Sequence, residues 1–324
     1  MRRIVGLAAS LLVMQASGTA WAIEGGLGAY LLGSRDSLAG VVPPPGTYIT
    51  NNSVFVDSTA PVLSLSGVPV TSPQTSVYIN KTDIAHFFEG QLLDGTLGVV
   101  ISIPVVTGNV SGQFLPGAAP FDGFKDEDAG FGDLTITPVI GWHEGNLHYS
   151  FGVSVFMPTG EYDSAEISLA PPKVDNLLNF GKNKWMFMPT LNATYFDPAA
   201  GLEVSGSLGI GFSTRNTATD WQNAPELSFE GAIMQNLPAG VAIGAAGYFY
   251  QQLGEDSGSG ADNFKMQVDA QSLQARVFGI GPIVTYRTKI GGIPTSLKAK
   301  YTHEFGAKRR FEGDIFWGAI NLAF

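Results

Sequence analysis

The 324 residues contain no cysteine, which removes disulfides, thiolate nucleophiles and cysteine-ligated zinc together. Charge is scarce as well: Asp, Glu, Lys and Arg make up 14% of the chain, where soluble domains carry about 25%. Beyond the first residues no stretch approaches the 18 apolar residues of a membrane helix. There is no Gly-rich phosphate loop after a strand, no paired-carboxylate motif and no heptad pattern. His86, His143 and His303 lie on different segments without metal-ligand spacing, and nothing in the sequence calls for a cofactor. Basic residues are in deficit, with a net charge of −10, which excludes nucleic acid as a partner.

Glycine, by contrast, is abundant, at 41 residues, and 44% of the chain is hydrophobic. Met1-Arg2-Arg3, the apolar run from Ile4 to Met14 and Ala20-Trp21-Ala22 read as a secretory signal over residues 1–22. Cleavage after Ala22 leaves a chain starting at Ile23, with 16 basic and 28 acidic residues and a net charge of −12. An exported chain without an apolar helix resides in a membrane only by means of strands.

The last ten residues carry the clearest pattern. Phe316, Gly318, Ile320, Leu322 and Phe324 fall on one face, and Trp317, Ala319, Asn321 and Ala323 on the other. Period two over about ten residues is a tilted bilayer-spanning strand, apolar on one side only. A C-terminal edge strand of a soluble sandwich is the competing reading.

Upstream, similar runs are joined by two kinds of connection. Short ones are Leu93-Asp94-Gly95-Thr96, Glu144-Gly145-Asn146, Asp197 to Gly201, Asn236 to Gly240 and Gly291-Gly292-Ile293-Pro294, all of turn composition. Long polar ones run roughly Asp57 to Thr75, Thr107 to Gly130, Pro158 to Asn183, Thr214 to Pro225, Gly254 to Gln271 and Phe305 to Phe311. The two kinds alternate, as short periplasmic turns and long extracellular loops do in outer-membrane barrels. A sandwich has no reason to sort its loops by length. The expectation is therefore an all-β, transmembrane antiparallel β-barrel of about twelve strands over residues 47–324. Its first two strands, near Tyr48–Val56 and Val77–Leu92, alternate least well. Trp142, Tyr149 and Tyr195 sit beside short turns, where a periplasmic aromatic girdle belongs.

The face expected to point inward carries Asp133, Glu203, Glu226, Glu230, Lys298 and Lys300 among small hydroxyls. Enclosed carboxylates and ammonium groups pair, either as a brace across a narrow lumen or as a polar constriction on a substrate path. Residues 23–46, rich in Gly and ending in Pro43-Pro44-Pro45-Gly46, are long enough to fold back into the lumen as a plug. Tyr30 with Leu31 and Leu32 would supply its apolar part, while Arg35 and Asp36 would meet Glu226, Glu230 or Lys298. A periplasmic tail is the alternative. His148 and Ser150 have the spacing of an outer-membrane lipid hydrolase, with Asn146 as an orienting residue. Their position beside a short turn, on the side away from external lipid, weighs against that reading. The acidic run Lys125-Asp126-Glu127-Asp128 falls in an external loop and reads as a solvated stretch or as a divalent-ion contact at the lipopolysaccharide surface.

Several blocks resemble a known family. Glu24-Gly25-Gly26-Leu27-Gly28-Ala29-Tyr30, Gly33-Ser34-Arg35 and the Pro43–Gly46 run look like the start of the outer-membrane proteins associated with the meta-pathway of phenol degradation. The likeness continues through Gly130-Phe131-Gly132-Asp133-Leu134, Pro158-Thr159-Gly160-Glu161-Tyr162, Asn183-Lys184-Trp185, Gly279-Ile280-Gly281-Pro282, Tyr301-Thr302-His303-Glu304-Phe305 and Arg310-Phe311-Glu312-Gly313. The resemblance implies a barrel in the bacterial outer membrane, among lipid and lipopolysaccharide, serving uptake of small hydrophobic, phenol-like compounds, and it brings no catalytic site. Terminal Phe324 is the expected handle for the barrel-assembly machinery. The lipid hydrolase is the runner-up, and an adhesive role for the outer loops a third reading.

Overall fold

The computed structural model describes residue 24, residue 26 and residues 28–115, 123–169 and 172–324. The expected signal peptide and Ile23 lie outside the described residues. The strands are β1 (Gly46–Thr59), β2 (Val62–Leu65), β3 (Val68–Phe87), β4 (Thr96–Phe114), β5 (Gly123–Phe131), β6 (Thr135–Glu144), β7 (Leu147–Phe156), β8 (Glu166–Leu169), β9 (Pro172–Asp175), β10 (Met186–Asp197), β11 (Leu202–Ser213), β12 (Glu226–Asn236), β13 (Val241–Gln252), β14 (Arg276–Ile290), β15 (Ile293–Lys308) and β16 (Glu312–Ala323). One short helix, α1 (Ser259–Gln267), lies between β13 and β14.

Fourteen strands form one sheet, in which β2 and β5 extend the outer ends of β3 and β4. The remaining twelve pair antiparallel in sequence, and β1 pairs with β16 to close the barrel. Closure matters because an open edge in hydrocarbon leaves a row of backbone groups unpaired. Phe324 takes part in the seal: its N–H donates to Thr47 O at 2.8 Å, and Thr47 N–H donates back to Phe324 O at 3.2 Å.

The alternation expected from the sequence is realised in the wall. Leu191, Leu208, Phe229, Ile233, Ile280 and Phe316 are exposed on the outer face, while Thr190, Ser207, Glu230 and Trp317 are buried inside. At the short-turn end Trp142 stacks on Tyr149 with ring centroids 5.4 Å apart, and Trp142 donates its indole N–H to Leu93 O. The first two strands alternate poorly because their outer face carries a polar cluster. Asn51 donates to Asn80 and Thr82 at 3.0 Å, Asn80 donates back, and Ser53 contacts the Tyr78 hydroxyl at 3.1 Å. These groups satisfy one another on a surface that offers no water.

Several expected boundaries change. The second barrel strand, β3, ends at Phe87 rather than Leu92, and both early strands begin or end well into the expected loops. The supposed long loops from Asp57 and from Thr107 are largely sheet: β1–β3 and β4–β5 continue as hairpins past the apolar belt. Hydrogen bonding along the ladder gives polar residues a place in a strand wherever one continues beyond the membrane. The run from Lys125 to Asp128 accordingly sits on β5, where Asp126 accepts the backbone N–H groups of Leu177 and Leu178.

This topology predicts the cleavage pattern of trypsin. Added to intact cells, it should cut after Lys125 or Lys173, which are exposed at the long-loop end. Lys289, beside the Ile290–Ile293 turn, should be cut only after the envelope is permeabilised. Cleavage at Lys289 in intact cells would invert the orientation.

Candidate functional site: a bound segment and the channel beside it

Glu24, Gly26 and residues 28–45 lie along the barrel from the long-loop end to the short-turn end. At the outer end Glu24 accepts from Asn216 at 2.8 Å and from Thr219, and Lys184 approaches it at 3.7 Å. Midway, Arg35 N–H donates to Glu230 at 2.9 Å. Lower down, Gly40 N–H donates to Thr194 at 3.0 Å. A Cβ at Gly40 would stand 2.5 Å from His148 O and 2.6 Å from Thr194 N, so only glycine lets the two backbones come this close. Val42 then presses against Gly141 before Gly46 opens β1.

Charge holds this course. Asp36 is buried between two ammonium groups, Lys298 at 3.0 Å and Lys300 at 2.8 Å. Lys300 also donates to Gly33 O and lies 4.6 Å over the Trp317 ring. Glu203, fully buried, accepts Leu38 N–H at 2.7 Å, Ser205 Oγ at 2.9 Å and Ser37 Oγ at 3.1 Å. Each such bond to a charged group is worth about 1.5–3 kcal/mol. Tyr30 packs edge-on against Phe156.

The residues expected inside are thus brought together in part. Arg35 meets Glu230 through its backbone, and Asp36 meets Lys298 and, in addition, Lys300. Glu203, read from sequence only as an inward acid, is the main anchor for residues 37–38. Glu226 does not meet Arg35; it lies near the outer end, accepting from Asn223 at 3.3 Å beside Gly28. Asp133 stands apart just before β6, accepting the N–H groups of Gly160 at 3.0 Å and Lys182 at 2.9 Å. Burial raises the Asp133 carboxyl above its ordinary value, and burial lowers the ammonium of Lys182. Sequence reading did not single out Lys182, Glu304 or Arg310. Arg310 pairs with Glu304 at 3.3 Å, and Tyr248 donates to Glu304 at 2.7 Å.

Every polar tie of residues 34–40 to the wall runs to β10, β11, β12 or β15. The opposite wall, made of β1, β3, β4, β6 and β7, gives residues 34–40 no such bond, and a cavity of about 740 Å³ lies along it. Val56, Val77, Ile79, Val106 and Phe156 form its apolar flank, facing Tyr30, Leu31 and Leu38 of the segment. The lining reaches from Asp133 and Phe311 at the outer end to Arg287, Ser296 and Asn321 near the inner end.

His148 and Ser150 do not form a catalytic pair. Their alternation puts both inside, but His148 Nδ1 contacts His143 Nδ1 at 2.7 Å, and Ser150 accepts from Asn192 at 3.2 Å. Neighbouring inward positions on one strand are held apart by the extended backbone, so the hydroxyl never reaches the imidazole.

Residues 58–320 match the model of the MetA-pathway phenol-degradation family. The chain belongs to this family. No curated protein matches it significantly. Among solved structures, it is similar to an outer membrane channel from Pseudomonas putida F1, at 16% identity and a TM-score of 0.65, covering 89% of this chain and 99% of that one. That likeness shows an outer-membrane barrel fold. The translocator domain of the autotransporter NalP from Neisseria meningitidis is also similar, at 12% identity and a TM-score of 0.43, covering 87% and 90%. A FadL homologue from Pseudomonas aeruginosa gives 8% identity and a TM-score of 0.39, covering 89% and 91%.

Replacing Asp36 by Asn should release the segment, because it leaves two buried ammonium groups without their counter-charge, a loss of about 3–5 kcal/mol. In planar bilayers the Asp36→Asn barrel should conduct more than the parent; equal conductance would show that Asp36 does not hold the segment.

Proposed function

We propose that the protein is an outer-membrane channel for small hydrophobic molecules, aromatic ones of phenol-like size among them. The observation that carries this reading is the cavity between residues 28–43 and the β1–β7 wall. An open pore of water would favour sugars and ions, but here the bound segment displaces much of the water and faces an apolar flank. Val56, Val77, Ile79 and Val106 offer a solute dispersion contacts and no hydrogen bonds. Thr135, Thr137, Ser150 and Ser154 line a second flank on β6 and β7 and suit a lone hydroxyl or a ring edge. Twelve strands enclose a lumen intermediate between filled eight-stranded barrels and open pores of sixteen, and the segment narrows it further. Family membership supports the same reading.

The test is uptake of phenol at limiting concentration by cells with an intact outer membrane. Expression should raise the initial rate several-fold over cells without the protein, and leave the rate for a disaccharide unchanged. Val77→Trp, which fills the apolar flank, should return phenol uptake close to the background. Uptake that ignores both the protein and the substitution would remove this function.

A further inference from the structure

The outer end of β15 changes face. Below Gly306 its even-numbered residues point into the barrel, with Lys300, Thr302 and Glu304 all buried. Gly306 then takes a left-handed conformation, with φ at 64°. Over the same stretch the pairing with β14 shifts by one residue, from Phe278 opposite Phe305 to Arg276 opposite Lys308. A bulge of this kind leaves one residue unopposed and reverses the facing of those that follow. Ala307 accordingly turns inward and packs against the core, while Lys308 turns outward beside Arg276. In an unbroken strand Lys308 would enter the lumen.

The two cations stand immediately above the aromatic row that ends the apolar belt. Phe278 stacks on Phe305 at 5.6 Å and lies 5.0 Å from Phe249, and the Arg276 guanidinium sits 5.5 Å over the Phe278 ring. Arg309, next in the chain, adds a third cation and donates to Gln274 O at 3.0 Å. Like charges directly opposite on paired strands repel. Other basic residues of the outer loops and hairpins are neutralised: Lys125 by Glu127, Lys173 by Asp175, Arg215 by Asp220 and Lys265 by Glu255. Among the described residues Arg276, Lys308 and Arg309 form no ion pair, and the Nε of each arginine lacks a hydrogen-bond partner. The acids that approach them are engaged. Glu255, near Arg309, accepts Leu273 N–H at 2.7 Å and pairs with Lys265, and Glu312 accepts Ala307 N–H at 2.6 Å.

We propose that Arg276, Lys308 and Arg309 bind a lipid A phosphate of lipopolysaccharide in the outer leaflet, with its acyl chains lying along the aromatic row and Ile280 below it. This inference concerns the outer surface and holds whatever solute the channel carries. Position supports it: headgroup phosphates lie where a lipid-facing wall passes from apolar to charged. Charge supports it as well. A phosphate monoester carries about two negative charges at neutral pH and three acceptor oxygens, which suits a cluster of cations better than a single one. The planar guanidinium forks of two arginines match that geometry. A glycerophospholipid diester brings one charge and leaves the cluster under-neutralised. A bound phosphate also removes the repulsion across the Arg276–Lys308 pair, so the lipid braces the end of the β14–β15 ladder.

The experiment titrates the folded full-length protein in detergent micelles with diphosphoryl lipid A, with lipid A stripped of its phosphates, and with phosphatidylglycerol. EDTA is present throughout, so that no divalent ion lets Glu312 hold a phosphate indirectly. Diphosphoryl lipid A should bind about tenfold more tightly than either of the other two. Arg276→Gln combined with Lys308→Gln should abolish that preference, and Arg276→Lys should keep most of it. Lys125→Gln combined with Lys173→Gln removes the same charge from the same end and should leave the preference unchanged. The heat-dependent gel mobility of each variant shows that its barrel has closed. Three results would each overturn the proposal: equal binding of the three lipids, a preference untouched by the Arg276 and Lys308 substitutions, or an equal loss in the Lys125 and Lys173 pair. The last would reduce the effect to the general attraction between a basic rim and an anionic lipid.

Discussion

A single buried carboxylate organises the interior. Asp36 sits between Lys298 and Lys300, two residues on the inner face of β15 that would repel each other in an enclosed lumen without it. Its position fixes Gly33 and Arg35 on one side and Ser37 and Leu38 on the other, which brings these last two onto Glu203. Everything that makes the lumen asymmetric follows from that. Because the segment is tied to β10–β15, free space gathers along β1–β7, and the apolar flank of the first strands becomes the surface a solute meets.

The wall was largely legible in the sequence and the interior only in pieces. Alternation such as Leu202 to Ser213 reads plainly, because lipid on one side and a lumen on the other impose opposite demands on successive residues. The sorting of short and long connections gave the barrel its order and an even strand number. The limits of β1, β3 and β4 did not read, since their outer ends continue as hairpins in water, where polar residues are as acceptable in a strand as in a loop. The bonded cluster of Asn51, Ser53, Tyr78, Asn80 and Thr82 blurred the period further.

Inside, the inward acids and lysines were evident from the alternation, and so was the approach of Arg35 and Asp36 toward the charges of β12 and β15. Their pairing was not fully evident. Strand register decides whether Arg35 faces Glu226 or Glu230, four residues apart on one strand, and no local pattern encodes it. Lys182 was invisible for a different reason. It lies in an irregular connection, where no periodicity assigns a face, and its significance comes only from what surrounds it. The spacing of His148 and Ser150 misled in the opposite sense, since proximity along a strand does not bring two side chains into contact.

The contacts of residues 33–42 have a consequence for assembly. Asp36 and Lys300 are separated by 264 positions, and the binding surface for the segment is contributed jointly by β10, β11, β12 and β15. That surface does not exist until those strands have paired, so the segment settles late, after the slow search that long-range pairing requires. A slip of one residue in β15 would turn Lys298 and Lys300 to the lipid side and leave Asp36 with nothing to bind. The segment therefore acts as a proofreader of its own barrel: it can be accepted only by a wall whose strands have found their native register.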